Sequence, residues 1–68
     1  MRDQLEKLVQ EMLDKGVLYD DARREFEKMF IARALLRSEG NLGEAADMLG
    51  LHRNTIARKI AEYRIKRG

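Results

Sequence analysis

Between Phe26 and Leu36 the chain carries Phe26, Met29, Phe30, Ile31, Ala32, Ala34, Leu35 and Leu36. At about 100° per residue these positions fall almost all the way round a helix. No proline interrupts it, because the 68 residues contain none, and a chain rich in Leu, Ala, Glu, Lys and Arg favours helix. A helix that is apolar on every side is buried on every side. A chain this short can hardly surround one of its own helices, so a second copy is the natural cover. Size argues the same way. Below ~70–80 residues one core seldom supplies more than ~3–5 kcal/mol, and small domains lean on disulfides, metals or oligomers. The chain has no cysteine, which excludes disulfides, thiolate zinc sites and thiol chemistry. Its single histidine, His52, leaves little for a metal or a catalytic relay. The expectation is one all-α domain, residues 1–68, that forms a homo-oligomer and holds no metal or cofactor.

Spacing places four helices and no strand. The first runs from about Asp3 to Lys15, with Asp3-Gln4-Leu5-Glu6 reading as a capping box. Leu5, Leu8, Val9, Met12 and Leu13 form a one-sided apolar stripe, and Gly16 ends the helix. The second starts near Tyr19–Asp21 and runs to about Ser38, ended by Gly40. The third is short, with Asn41 as N-cap and Glu44 at N3, an inner face of Leu42, Ala45, Ala46 and Leu49, and Gly50 at its end. The fourth starts near His52–Arg53 and runs to about Arg64–Lys66, with Ile56, Ile60 and Tyr63 at i, i+4, i+7. Met12, Met29 and Met48 read as core filler. Tyr19 and Tyr63 read as packed side chains.

Charge is unevenly distributed. Residues 1–51 carry 8 Lys/Arg and 11 Asp/Glu, a net of −3. Residues 52–68 carry Arg53, Arg58, Lys59, Arg64, Lys66 and Arg67 against Glu62 alone, a net of +5. Such asymmetry suggests a polyanion-binding end. A solvated terminal helix whose cations complement the helix dipole fits the charge as well. The spacing of the last two helices favours the first reading. A short helix, a tight glycine-containing turn and a second helix make a helix-turn-helix. Ala46 permits close approach, Gly50 makes the turn, Leu51 plugs the corner, and Ile56 and Ile60 anchor the second helix. His52, Arg53, Asn54, Thr55, Arg58, Lys59 and Glu62 then remain outside the core, a set rich in groups that bond phosphates and base edges. A plain helical hairpin with a charged outer face would show the same turn.

Residues 18–63 resemble the Fis family, which comprises the factor for inversion stimulation and the C-terminal domains of nitrogen-regulator-type transcription activators. The resemblance rests on Tyr19, Gly40-Asn41, Glu44-Ala45-Ala46, Met48-Leu49-Gly50, Leu51-His52-Arg53-Asn54-Thr55-Ile56, Arg58-Lys59-Ile60 and Tyr63. It implies an intertwined helical homodimer, residues 1–39 building the dimer and residues 41–66 the helix-turn-helix, that binds the DNA major groove and commonly bends the duplex. By position, Arg53 matches an arginine that reaches base edges. Asn41 matches a backbone-contacting asparagine, Thr55 a phosphate-bonding threonine, and Arg58 and Lys59 a basic pair. His52 stands where the family usually has Asn, which weakens the N-cap and alters any base contact there, and Ala57 replaces a frequent Arg, which removes one candidate contact. His52 and Asn54 complete the expected DNA-facing set. Leu8, Met12, Phe26 and Phe30 are expected at the dimer contact.

No apolar run approaches the ~20 residues that span a bilayer, and charged residues follow Met1 instead of an apolar leader. The expectation is a soluble cytoplasmic chain of the nucleoid. No nucleophile–base pair, isolated carboxylate pair or glycine-rich phosphate loop is present, so no catalytic residue, enzyme activity or small-molecule substrate is expected. The expected partners are double-stranded DNA and a second copy, with no membrane. A helical protein–protein module without DNA binding is the alternative.

Overall fold

The computed structural model describes residues 1–66. Four α-helices account for the regular structure: α1 Arg2–Asp14, α2 Tyr19–Arg37, α3 Leu42–Leu49 and α4 Arg53–Tyr63. No strand occurs among the described residues, and none of the helices there is long and apolar enough to cross a membrane. Arg67, expected in the basic tail, lies outside the described residues.

Helices α2, α3 and α4 pack on one another around Ile31, Ala34, Leu35, Ala45, Ala46, Ile56 and Ile60. Leu42, Leu49 and Ile65 seal the edges. The spacing Ile31, Ala34, Leu35 puts one stripe of α2 into this core. Ser38, one further turn along it, is buried too, and its hydroxyl donates to the carbonyls of Leu35 (3.2 Å) and Asn41 (3.0 Å). Ala45 and Ala46 are the small residues that let α3 approach closely, and both are buried.

Each helix ends in the same way. The chain beyond it donates twice into the last turn: Gly16 and Val17 to Leu13 and Met12, Glu39 and Gly40 to Leu36 and Leu35, Gly50 and Leu51 to Asp47 and Ala46, Arg64 and Ile65 to Ala61 and Ile60. These are Schellman turns, which place one residue in the left-handed region. Glycine takes that place after α1 and α3. After α2 it is Glu39 (φ 54°), with Gly40 (φ 82°) following, so Gly40 is the second left-handed residue and not the terminator expected. After α4 it is Arg64 (φ 55°), which ends that helix at Tyr63 instead of carrying it to Lys66.

Several expectations need correction. Helix α1 starts at Arg2 with Met1 as N-cap and no side-chain cap, so Asp3-Gln4-Leu5-Glu6 is not a capping box. Asp3 instead lies within the first turn, where its charge suits the dipole. No residue of α1 is buried. On α2, Phe26 and Phe30 are 58% and 51% exposed, and Met29 is exposed as well. Met48 is exposed and Met12 only half-buried, so the three methionines expected in the core lie outside it in a single chain. Tyr19 is 79% exposed and not packed, and Leu51 leaves much of its surface open instead of filling the corner. The reason is common to most of them. The core of α2, α3 and α4 uses one side of α2 only, and the rest of its apolar circumference has no cover within one chain.

Ile56 is fully buried, so Ile56→Ala should destabilise the domain by ~2–5 kcal/mol. The side chain of Asn41 caps α3, and Asn41→Ala should cost ~0.5–2 kcal/mol. Urea titrations followed by helical circular dichroism measure both, and a loss below ~0.5 kcal/mol at Ile56 would contradict its place in the core.

Candidate nucleic-acid interface

The turn between α3 and α4 is built from three residues. Gly50 adopts φ 68°, ψ 29°, a conformation that costs glycine nothing and an L-residue ~1–2 kcal/mol. Leu51 then returns its N–H to the carbonyl of Ala46 at 3.0 Å. His52 is extended and forms the N-cap of α4, its Nδ1 accepting from the N–H of Asn54 at 3.1 Å. At the other end of the unit, Asn41 caps α3 through Oδ1, which accepts from Glu44 N–H at 3.0 Å. Caps at both N-termini therefore fix where the two helices begin.

Helix α4 is pinned from behind. Ile56 and Ile60 enter the core, and Thr55 and Lys59 lie at its margin, half-buried. His52, Arg53, Asn54, Arg58 and Glu62 are exposed. Successive turns bring Asn54 and Arg58 to one side of the helix, with Arg53 in its first turn. Neither Arg53 nor Arg58 forms an ion pair among the described residues. Of the residues expected to face DNA, the fold thus groups His52, Arg53, Asn54 and Arg58 at the exposed start and outer side of α4. Thr55 sits at the edge. Asn41 stands apart, at the start of α3.

Lys59 is different. Its Nζ lies 3.1 Å from Glu27 Oε2, with the two side chains 25% and 24% exposed. The other carboxylate oxygen of Glu27 accepts from the hydroxyl of Tyr63. Arg23 approaches the same oxygen at 4.0 Å. Glu27 on α2 thereby holds two side chains that stand one turn apart on α4. The hydrogen bonds from Tyr63 and Lys59 hold its carboxyl below the ordinary range, against a smaller opposing effect of burial. The same bond, with desolvation, raises the Tyr63 hydroxyl. A pair this open to water contributes only ~0–1 kcal/mol, so its effect is orientation more than stability. Sequence reasoning missed this clasp. The signal was present, since Glu27 continues the buried stripe of Ile31 and Leu35 at i, i+4, i+8, where a carboxylate needs partners.

A second feature adjoins the unit. Leu8 and Met12 of α1, Phe26, Met29, Phe30 and Ala34 of α2, and Met48 and Leu49 of α3 line an open apolar groove of about 860 Å³. Phe26 and Phe30 meet edge to face with centroids 5.1 Å apart. All four residues expected at the dimer contact lie in this groove.

The acid limb of the clasp follows from its sign. Glu27 is lowered in the folded protein, so its contribution is present above the ordinary carboxylate range and disappears as pH falls through the lowered value. Thermal melts of wild type and Glu27→Gln should differ at neutral pH and converge on acidification. A gap that persists unchanged at pH 2 would contradict this assignment.

Comparison with known proteins agrees with this geometry. The family profile described as "Bacterial regulatory protein, Fis family" matches residues 22–63, from the first turn of α2 to the end of α4. The DNA-binding transcriptional regulator NtrC of Rhizobium meliloti is 49% identical over 45 residues, covering 66% of this chain and 9% of that protein. A Fis-like DNA-binding protein of Xylella fastidiosa is 40% identical over 50 residues, covering 74% of this chain and 56% of that one. The propane 2-monooxygenase operon transcriptional activator MimR of Mycolicibacterium goodii is 49% identical over 39 residues, 57% of this chain and 7% of the activator. The chain therefore spans from under a tenth to just over half the length of these relatives. No solved structure matches it significantly. The chain belongs to the Fis family of bacterial regulatory proteins, a family of DNA-binding helix-turn-helix regulators.

Proposed function

We propose that this domain binds duplex DNA as a symmetric homodimer and serves in transcription regulation or nucleoid organisation, laying α4 of each protomer in the major groove and bending the DNA between them. The observation that carries the reading is the division of α4, with Ile56 and Ile60 locked in the core, Arg53, Asn54 and Arg58 left to solvent, and the two arginines without ion-pair partners among the described residues. Arg53, in the first turn, reads base edges, with His52 and Asn54 beside it. Arg58, Thr55 and Asn41 take phosphates, and Lys59 joins them only by leaving Glu27. The groove containing Leu8, Met12, Phe26 and Phe30 is the surface on which the second copy packs. A dimerisation module that made no DNA contact would use the same groove, but would have no use for the unpaired arginines.

In this reading, two protomers packed through α2 hold their α4 helices closer than the ~34–36 Å between successive major grooves on one face of straight DNA. Bending by ~40–90° costs ~1–6 kcal/mol, which flanking phosphate contacts from the exposed Arg64 and Lys66 offset.

Arg53→Ala should flatten the preference between sites by ~1–3 kcal/mol. Arg58→Ala should weaken all sequences alike and reduce the salt slope by about one. Gel shifts with palindromic and random duplexes over a range of salt separate the two. An Arg53→Ala variant that keeps full sequence preference while losing affinity everywhere would overturn the assignment.

Phe30→Asp should convert a dimer at micromolar concentration into a monomer in sedimentation velocity. A wild-type chain that sediments as a folded monomer would remove the dimer from this reading.

A further inference from the structure

Resting on the DNA-binding reading, we propose that Glu27 is a specificity-determining residue that acts by withholding Lys59 from the phosphate backbone. Each oxygen of the Glu27 carboxylate has a partner on α4: Oε2 meets Lys59 Nζ at 3.1 Å and Oε1 accepts from the Tyr63 hydroxyl. The clasp lies on the side of α4 that turns towards α2, away from Asn54 and Arg58. The ammonium has three N–H donors, but with its charge compensated by Glu27 at 3.1 Å it adds no net positive charge for a phosphate. While it stays with Glu27, α4 meets the duplex with its exposed arginines and one cation fewer than its sequence carries.

The consequence concerns discrimination more than strength. A phosphate contact binds every sequence equally, and each one neutralised adds about −0.9 to the slope of log K against log salt. Relative to a 1 M reference, that amounts to roughly eightfold tighter binding at 0.1 M salt, gained by specific and random DNA alike. Withholding Lys59 lowers the background common to all sequences. Recognition is left to the groups at the start of the helix. Tyr63 keeps the carboxylate in place and fixes the roll of α4, so charge and geometry are separable by substitution. Glu27→Gln keeps an oxygen for the tyrosine and drops the charge that holds the lysine.

The experiment is a two-by-two set: wild type, Glu27→Gln, Lys59→Gln and the double variant, each titrated with a random-sequence duplex from 50 to 300 mM salt, with circular dichroism melts alongside. We expect Glu27→Gln to steepen the slope by about one and to tighten random-duplex binding several-fold. Lys59→Gln in the wild-type background should leave the slope unchanged, and the double variant should return to wild type. An unchanged slope in a folded Glu27→Gln variant overturns the proposal. So does a slope reduced by about one in Lys59→Gln alone, which would place Lys59 on a phosphate already and decides the matter even where Glu27→Gln fails to fold. Absence of salt-dependent duplex binding by the wild-type chain overturns the DNA-binding reading itself, a result distinct from slopes that are present but insensitive to Glu27.

Discussion

Helix α2 has to serve two apolar surfaces, and the rest of the molecule is arranged around that demand. Its Ile31, Ala34 and Leu35 close on Ala45, Ala46, Ile56 and Ile60 and so create the unit that holds α4. Among the described residues, only Ile31, Leu35 and Ile56 are large side chains fully removed from water. That is a small core for a chain that must also order its backbone. The opposite side of α2, with Phe26, Met29 and Phe30, meets no comparable layer; α1 only flanks it, with Leu8 and Met12 in the same groove. In the proposed dimer, stability and assembly are therefore drawn from one helix. A change at Leu35 acts on the fold of each protomer, and a change at Phe30, half exposed in the single chain, acts on what covers it.

The α3–α4 unit depends on small residues and short-range hydrogen bonds more than on bulk. Alanines at 45 and 46 let the helices approach, a glycine reverses the chain, and side-chain caps at Asn41 and His52 set where each helix starts. Every one of these is a local device, which is why so short a segment can present α4 in a defined orientation. The cap of α4 is an imidazole nitrogen, Nδ1 of His52, which accepts from the N–H of Asn54.

Much of this was legible in sequence. Periodicity gave the four helices and the core positions of α2, α3 and α4. The all-round apolar character of α2 pointed to surface left over after one chain has folded. What periodicity does not reveal is which part of an apolar circumference is used. Met12, Met29, Met48 and Tyr19 look like core residues on a helical wheel, and only the three-dimensional arrangement of α2, α3 and α4 tells them from Ile31 and Ile60. Caps were legible where backbone geometry demands a particular side chain, as at Asn41, and misleading at Asp3, where the helix simply begins earlier. From sequence, the candidate site is a list of polar residues, Asn41 and those from His52 to Lys59. That list could not separate Arg58 from Lys59, because the partner that distinguishes them lies on another helix.

Adjacent residues on a helix point about 100° apart, and here that angle divides two neighbouring cations between two roles. Arg58 projects into solvent. Lys59 turns back to a carboxylate on α2 that Tyr63 also holds. The net charge of +5 in residues 52–68 is consequently not the charge that α4 presents to a polyanion. Part of it is internal, cancelled at 3.1 Å by a residue of the acidic body. The same pairing joins the helix that would carry the dimer to the helix that would read DNA. Counting cations along a sequence measures the first quantity. Affinity for phosphate depends on the second, and the difference between them is set by how α2 packs against α4.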